Sequence, residues 1–329
     1  MIGPAHHGAA PTITVVLPVH GTYTRFLQEC IGSIQAQTYT EWQTIVVDDG
    51  SEHDFARETV ERIGDERIRC IRHHRNRGLA AARNTGIRET SSDLVVPVDV
   101  DDMLAPRHLE RLKAALDENP SAAAAFPDFE LFGAVTGELR FQRRGLSTLL
   151  TEQWIPGSGT MLRRALWLQT GGYCEADELR AGNEDWDFWL SASDHIDNVI
   201  HVPEPLYLYR QHSASMVRKL QAVEHLTREF MYARHKDLFD LHNRGRHFLA
   251  EGYARAAKAS LLHRNWGATA QLGTRAIRLA PAETFAFVLR SAGRYALRSA
   301  QRVSGRSINA RFAVLGYLDI LLRFAAGEA

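Results

Sequence analysis

Residues 94–104 read LVVPVDVDDML, and no other stretch restricts the fold of this 329-residue chain so tightly. Leu94, Val95, Val96 and Val98 form a β-branched apolar run with the length of a strand buried on both faces. The run stops at three carboxylates, Asp99, Asp101 and Asp102. Carboxylates this close repel one another unless a cation lies between them, and hard divalent cations prefer oxygen ligands. In open parallel sheets, ligands bind at the carboxyl ends of strands, where these acids would lie. A purely local reading also exists, because Asp suits a helix N-terminus and Pro106 a first helical turn. On this stretch alone both readings stay open.

The same pattern recurs upstream. Residues 13–19, ITVVLPV, are a continuous apolar run ending at His20, and residues 42–47 end in Asp48, Asp49, Gly50 and Ser51. Between them, Phe26, Leu27, Cys30, Ile31 and Ile34 fall on one helical face and predict a helix over 24–37. Further helices are expected over 55–63, 79–88, 106–119 and 164–169, and another from 184 onward capped by Asn183. Short strands are expected over 68–71, 122–126, 129–134, 139–141 and 160–162, with 199–202 and 206–210 separated by Pro203 and Pro205. Strand and helix alternating in this way build an α/β fold with a parallel sheet flanked by helices. Beyond residue 215 the pattern is helical, and 249–280 fit two antiparallel helices joined near 264–266.

With 45% hydrophobic residues, the length suits one large domain and a smaller one. Residues 1–11 read as a disordered leader without the features of a signal peptide, and no apolar run approaches the roughly 20 residues of a membrane span. Cys30, Cys70 and Cys174 show no paired spacing, which favours a reducing, cytoplasmic setting. Lys plus Arg and Asp plus Glu both number 39, which gives no reason to expect nucleic acid. Residues 243–311 nevertheless carry thirteen basic side chains against two acids, a local net of +11. Phe312, Leu315, Leu318, Leu321, Leu322 and Phe324 could add an apolar stripe. Two readings of this tail stay open: peripheral contact with the inner face of a membrane, or a helical region packed on the rest of the chain.

The ordered set VVLPVHG, IVVDDGS, NRGLAAARNTG, VDVDD, GTMLRR, GGY, NEDWDFW and YRQH resembles the family 2 glycosyltransferases of the GT-A fold over residues 13–216. The resemblance implies a Rossmann-like, mostly parallel sheet with a catalytic domain over 12–218 and a basic α-helical region over 219–329. It implies an inverting transferase with a nucleotide-sugar donor, a UDP-sugar favoured over GDP- or dTDP-sugars, and Mn²⁺ or Mg²⁺. The implied acceptor is a saccharide or lipid-linked hydroxyl, in polysaccharide or glycolipid synthesis.

Residue by residue, the resemblance places Pro18, His20 and Asp49 at the donor nucleoside, with His20 where many relatives carry Tyr. Arg83, Asp99 and Asp101 are implied on the donor side, and Asp101, Asp102 and His212 at the metal, in a DXD-type motif. Asp185 matches the catalytic base, with Glu184 and Trp186 on the acceptor side. Each residue also has a plainer reading. Asp49 suits a turn, Arg83 a structural ion pair, Glu184 and Asp185 a helix start, Trp186 a core anchor, and His212 a strand end. Two other functions compete: a non-catalytic nucleotide-sugar binder on the same fold, which would need no acceptor-side acid, and a nucleotidyltransferase, which would want a basic Gly-rich loop after the first strand.

Overall fold

β1 (Ile13–Val19) is buried at every position, as a strand covered on both faces must be. The computed structural model, which describes residues 12–212 and 217–302, builds the sheet outward from this strand. β2 (Trp42–Asp48) and β3 (Ile68–Arg72) add in parallel on one side, and β4 (Leu94–Pro97) pairs in parallel on the other. α1 (Leu27–Gln35), α2 (Phe55–Ile63) and α3 (Leu79–Arg88) make the crossovers. The apolar positions foreseen on α1 do face the core, with Leu27, Cys30, Ile31 and Ile34 buried. The helix starts later than its spacing suggested, however, because Gly21–Phe26 form a 3₁₀ segment with no buried residue.

Beyond β4 come β5 (Met103–Leu104), α4 (His108–Glu118), β6 (Ala124–Gly133), β7 (Gly137–Leu139), α5 (Leu146–Leu149), β8 (Met161–Arg163), α6 (Arg164–Thr170), α7 (Glu184–Ser191) and β9 (Val199–Gln211). The strand order is β3-β2-β1-β4-β8-β6-β9-β5, with β7 on β6. Parallel pairing dominates, and the antiparallel pairings of β4 with β8, β6 with β8 and β5 with β9 are two residues long. α3 packs closely on β1. A Cβ on Gly86 would lie 2.3 Å from Val16 Cγ1, so this helix position admits no side chain without a shift.

Two expectations change. The strands foreseen over 122–126 and 129–134 are one, and so are those over 199–202 and 206–210. Prolines remove ladder donors without ending the strands, because pairing skips from Pro127↔Val202 to Asp128↔Pro205 and then Phe129↔Tyr207. Asp128 fills the gap, accepting from the Phe141 N–H at 2.8 Å and lying 2.7 Å from His201 Nε2.

Residues 214–329 form a second compact unit. Its described helices are α8 (Val217–Arg234), α9 (Lys236–Leu241), α10 (Gly245–Leu262), α11 (Trp266–Leu279) and α12 (Pro281–Arg302). α10 and α11 are the expected hairpin, with Arg264 in the left-handed region and Asn265 capping α11 through the Ala268 N–H. Tyr253, Ala254, Ala276, Phe287 and Val288 form its core. The leader over 1–11 and the stripe from Phe312 to Phe324 lie outside the described residues. Among the described residues, no helix is long and apolar enough to cross a membrane.

His108, in the first turn of α4, is fully buried with Nδ1 3.0 Å from the Leu206 carbonyl oxygen, and burial pushes its ring down to about 4. The unfolded chain therefore binds the extra proton between that value and the ordinary histidine range near 6.5, so stability falls as pH drops through this window. In urea unfolding at pH 7 and pH 4, the wild type should lose about 3 kcal/mol more than His108→Gln.

Candidate active site

The acids that end the β4 segment are held from the far end of β9. The Tyr207 hydroxyl donates to Asp102 Oδ2 at 2.7 Å and also accepts the Asp99 N–H at 3.3 Å. The Arg210 N–H donates to Asp102 Oδ1 at 2.7 Å, and its guanidinium to the Asp101 carbonyl at 2.7 Å and to Glu29. Asp102 is thus 1% exposed with both oxygens engaged by protein donors, and serves as the loop's anchor. Asp101 stays partly open and meets His212 Nε2 at 2.8 Å. His212 is seated in turn by Tyr23 and Phe26 of the 3₁₀ segment, whose ring centroids lie 6.0 and 5.6 Å away.

Charge is concentrated here. Burial, then the neighbouring Asp99, raises the Asp101 carboxyl, and burial with Asp99 and Asp101 raises Asp102 well above the carboxylate range. A cation would relieve that repulsion. Among the described residues there is no ready cage of three or more His, Cys, Asp or Glu. The donor set instead fits a partial site. One or two carboxylates completed by substrate phosphates is a usual arrangement for Mg²⁺, and Asp101 with His212 and the adjacent Asp99 could supply the protein's share.

Arg83 was a candidate for the donor side; the structure buries it at 2% exposure between the acidic loop and α7. Nη1 donates to Glu184 Oε1 at 2.5 Å, and Nη2 to Asp99 Oδ1 at 2.9 Å and Ser158 Oγ at 3.2 Å. Burial disfavours its charge, yet Asp99 and Glu184 hold the guanidinium above its ordinary range. Burial pushes the Glu184 carboxyl up, against the pull of Arg83.

Asp49, at the tip of β2, accepts from the Arg77 and Gly78 N–H groups at 2.9 and 2.7 Å and contacts His73 Nδ1 at 2.7 Å. The other ring nitrogen of His73 reaches Thr85 Oγ1 at 2.9 Å. His73 lacks metal-ligand spacing with acids in the sequence and has no role readable there; its partners lie 24 and 12 residues away. Pro18 is buried in β1, and His20, just beyond that strand, is exposed.

Asp185 is the second residue of α7. Asn183, just before the helix, has a left-handed backbone, φ 71°, and its side chain makes no capping bond, contrary to expectation. Asp185 Oδ1 accepts the Trp186 N–H, and Oδ2 accepts from Gln153 Nε2, both at 2.8 Å. Gly157 presses on the same carboxylate; a Cβ there would lie 2.3 Å from Oδ2. Trp186 is 3% exposed with its indole N–H bonded to the Leu149 carbonyl at 2.8 Å, so its ring anchors the helix start in the core.

A sheet of this order, with acids at the β4 tip and a carboxylate held at the start of α7, has the GT-A fold of solved glycosyltransferases. Residues 14–174 match the model of Glycosyl transferase family 2. The O-antigen biosynthesis protein RfbC of Myxococcus xanthus is 28% identical over 218 residues, 62% of this chain and 16% of that protein. The glycosyltransferase EpsJ of Bacillus subtilis is 28% identical over 239 residues, 67% of this chain and 68% of that one. Among solved structures, S. aureus TarS 1–349 with UDP-GlcNAc aligns over 96% of this chain and 92% of its own, at TM-score 0.62 and 17% identity. The mannosyltransferase PcManGT of Pyrobaculum calidifontis, with GDP-Man and Mn²⁺, covers 97% and 87% at TM-score 0.56 and 15% identity.

Removing the buried guanidinium would strand Glu184 without its partner. Arg83→Leu should destabilise the protein by about 3–5 kcal/mol in urea unfolding, and Arg83→Leu/Glu184→Leu should regain most of that loss.

Proposed function

We propose that the protein is a metal-dependent inverting glycosyltransferase that moves a sugar from a nucleoside-diphosphate sugar to an acceptor hydroxyl in glycan synthesis. The observation that carries this reading is the span of Arg83. One guanidinium bonds both Asp99, beside the donor acids, and Glu184, next to Asp185, so the two sides of the reaction lie a single side chain apart. A pure binder would need no acid on the second side.

Asp185 is the general base. Its carboxylate takes the proton of the acceptor hydroxyl as that oxygen bonds to the anomeric carbon, and the electron pair of the breaking bond leaves with the diphosphate. A single displacement of this kind inverts the anomeric centre and needs no protein nucleophile. Asp49 and its His73 support, with Pro18 and His20, border the nucleoside. Asp101 and His212 would hold Mn²⁺ or Mg²⁺, and a bound cation supplies charge neutralisation at the departing diphosphate. Support for a nucleotide-sugar donor comes from the similar folds solved with UDP-GlcNAc and with GDP-Man.

In a panel of UDP-, GDP- and dTDP-sugars with Mn²⁺, one donor should release its nucleotide, and chelation with EDTA should stop the release. Asp185→Asn should bind that donor as the wild type does in calorimetry while turnover falls about 10²- to 10⁴-fold. Loss of donor binding in a folded Asp185→Asn protein would move this residue to the donor side and overturn the assignment.

A further inference from the structure

Resting on the reading of Asp185 as base, we propose that Gln153 is the residue that positions it and sets its basicity. Among the described residues, Gln153 is the one side chain that donates to the Asp185 carboxylate, at 2.8 Å onto Oδ2. Its orientation is fixed from outside, because the same Nε2 also faces the Ile155 carbonyl at 3.3 Å, and a carbonyl can only accept. The segment carrying it is rigid. Trp154 and Ile155 are buried at 4% and 0% exposure, and the Thr160 hydroxyl donates to the Pro156 carbonyl at 2.7 Å. Gly157 then closes the other approach to Oδ2, leaving no room there for a side chain.

Each neighbour has a separate task. The Trp186 N–H holds Oδ1, so the carboxylate cannot turn about its own axis without losing one bond or the other. The charged and titratable groups facing Asp185 are Arg83 on α3, Glu184 on α7 and the Tyr173 hydroxyl. Arg83 is spent on Glu184 and Asp99, and donates no hydrogen bond to Asp185. A neutral amide is the suitable support for a base: it holds the carboxylate in place without adding a charge, whereas a cation in its place would stabilise the carboxylate and blunt its basicity.

Two variants test this, with thermal unfolding as the folding control. Gln153→Glu is nearly isosteric and sets a second carboxylate beside the first. The acid limb of the pH–rate profile for nucleotide release, with the donor found in the panel, should move up by about one pH unit or more at unchanged donor KM. Gln153→Ala should move the same limb upward by less and lower kcat about 10- to 100-fold. The midpoint is also read without turnover, from the carboxyl-carbon resonance of Asp185 in protein labelled at aspartate Cγ and assigned by difference from Asp185→Asn. Midpoints that coincide with wild type in the folded Gln153→Glu protein, by rate or by resonance, overturn the inference. Full turnover in Asp185→Asn would instead overturn the assignment of the base, whatever the Gln153 variants do.

Discussion

A single guanidinium in the dark interior of the catalytic unit ties together what the chain makes far apart. Arg83 comes from α3, Asp99 from the end of the β4 segment, Ser158 from the loop before β8 and Glu184 from α7. Burying a cation here is costly, and it is tolerable only because two carboxylates meet it at hydrogen-bond distance. The arrangement has a consequence for the site. Asp99 and Glu184 need Arg83 as much as it needs them, so the acidic loop cannot drift from the helix that carries Asp185 without leaving the buried guanidinium unpaired in a low-dielectric interior.

The second constraint is the grip of β9 on the acidic loop. Tyr207 and Arg210 consume both oxygens of Asp102, which turns the most buried of the three acids into a fastener. Asp101 and Asp99 stay partly exposed beside it. A loop with three like charges would otherwise spread apart; here one charge is spent holding the other two close.

Much of this was legible in the sequence. Continuous apolar runs bounded by acids or glycine marked β1, β2 and β4, and the i, i+4 apolar spacing marked α1 and α4, because these signals are local and repeat with a fixed period. The positions of Asp49, Asp99, Asp101 and Asp185 at element ends could be read in the same way. What could not be read is partnership across distance. Tyr207 meets Asp102 from 105 residues away and Gln153 meets Asp185 from 32, and neither pair leaves a pattern within any window of the chain. Local rules also failed where tertiary pairing overruled them. Pro203 and Pro205 argued for two strands, yet β6 carries one strand past both, and Asn183 had the identity of a helix cap without the bond.

The skipped register of β9 gives the molecule an expansion joint. Residues 199–202 are registered to the sheet core, residues 206–211 reach the acidic loop, and the stretch between them already carries more chain than its partner strand uses. That extra chain is itself fastened, because Glu204 accepts from the Arg111 guanidinium at 2.8 and 2.6 Å. One strand thus builds both the interior of the sheet and the support of the acidic loop, with a break in register between the two tasks.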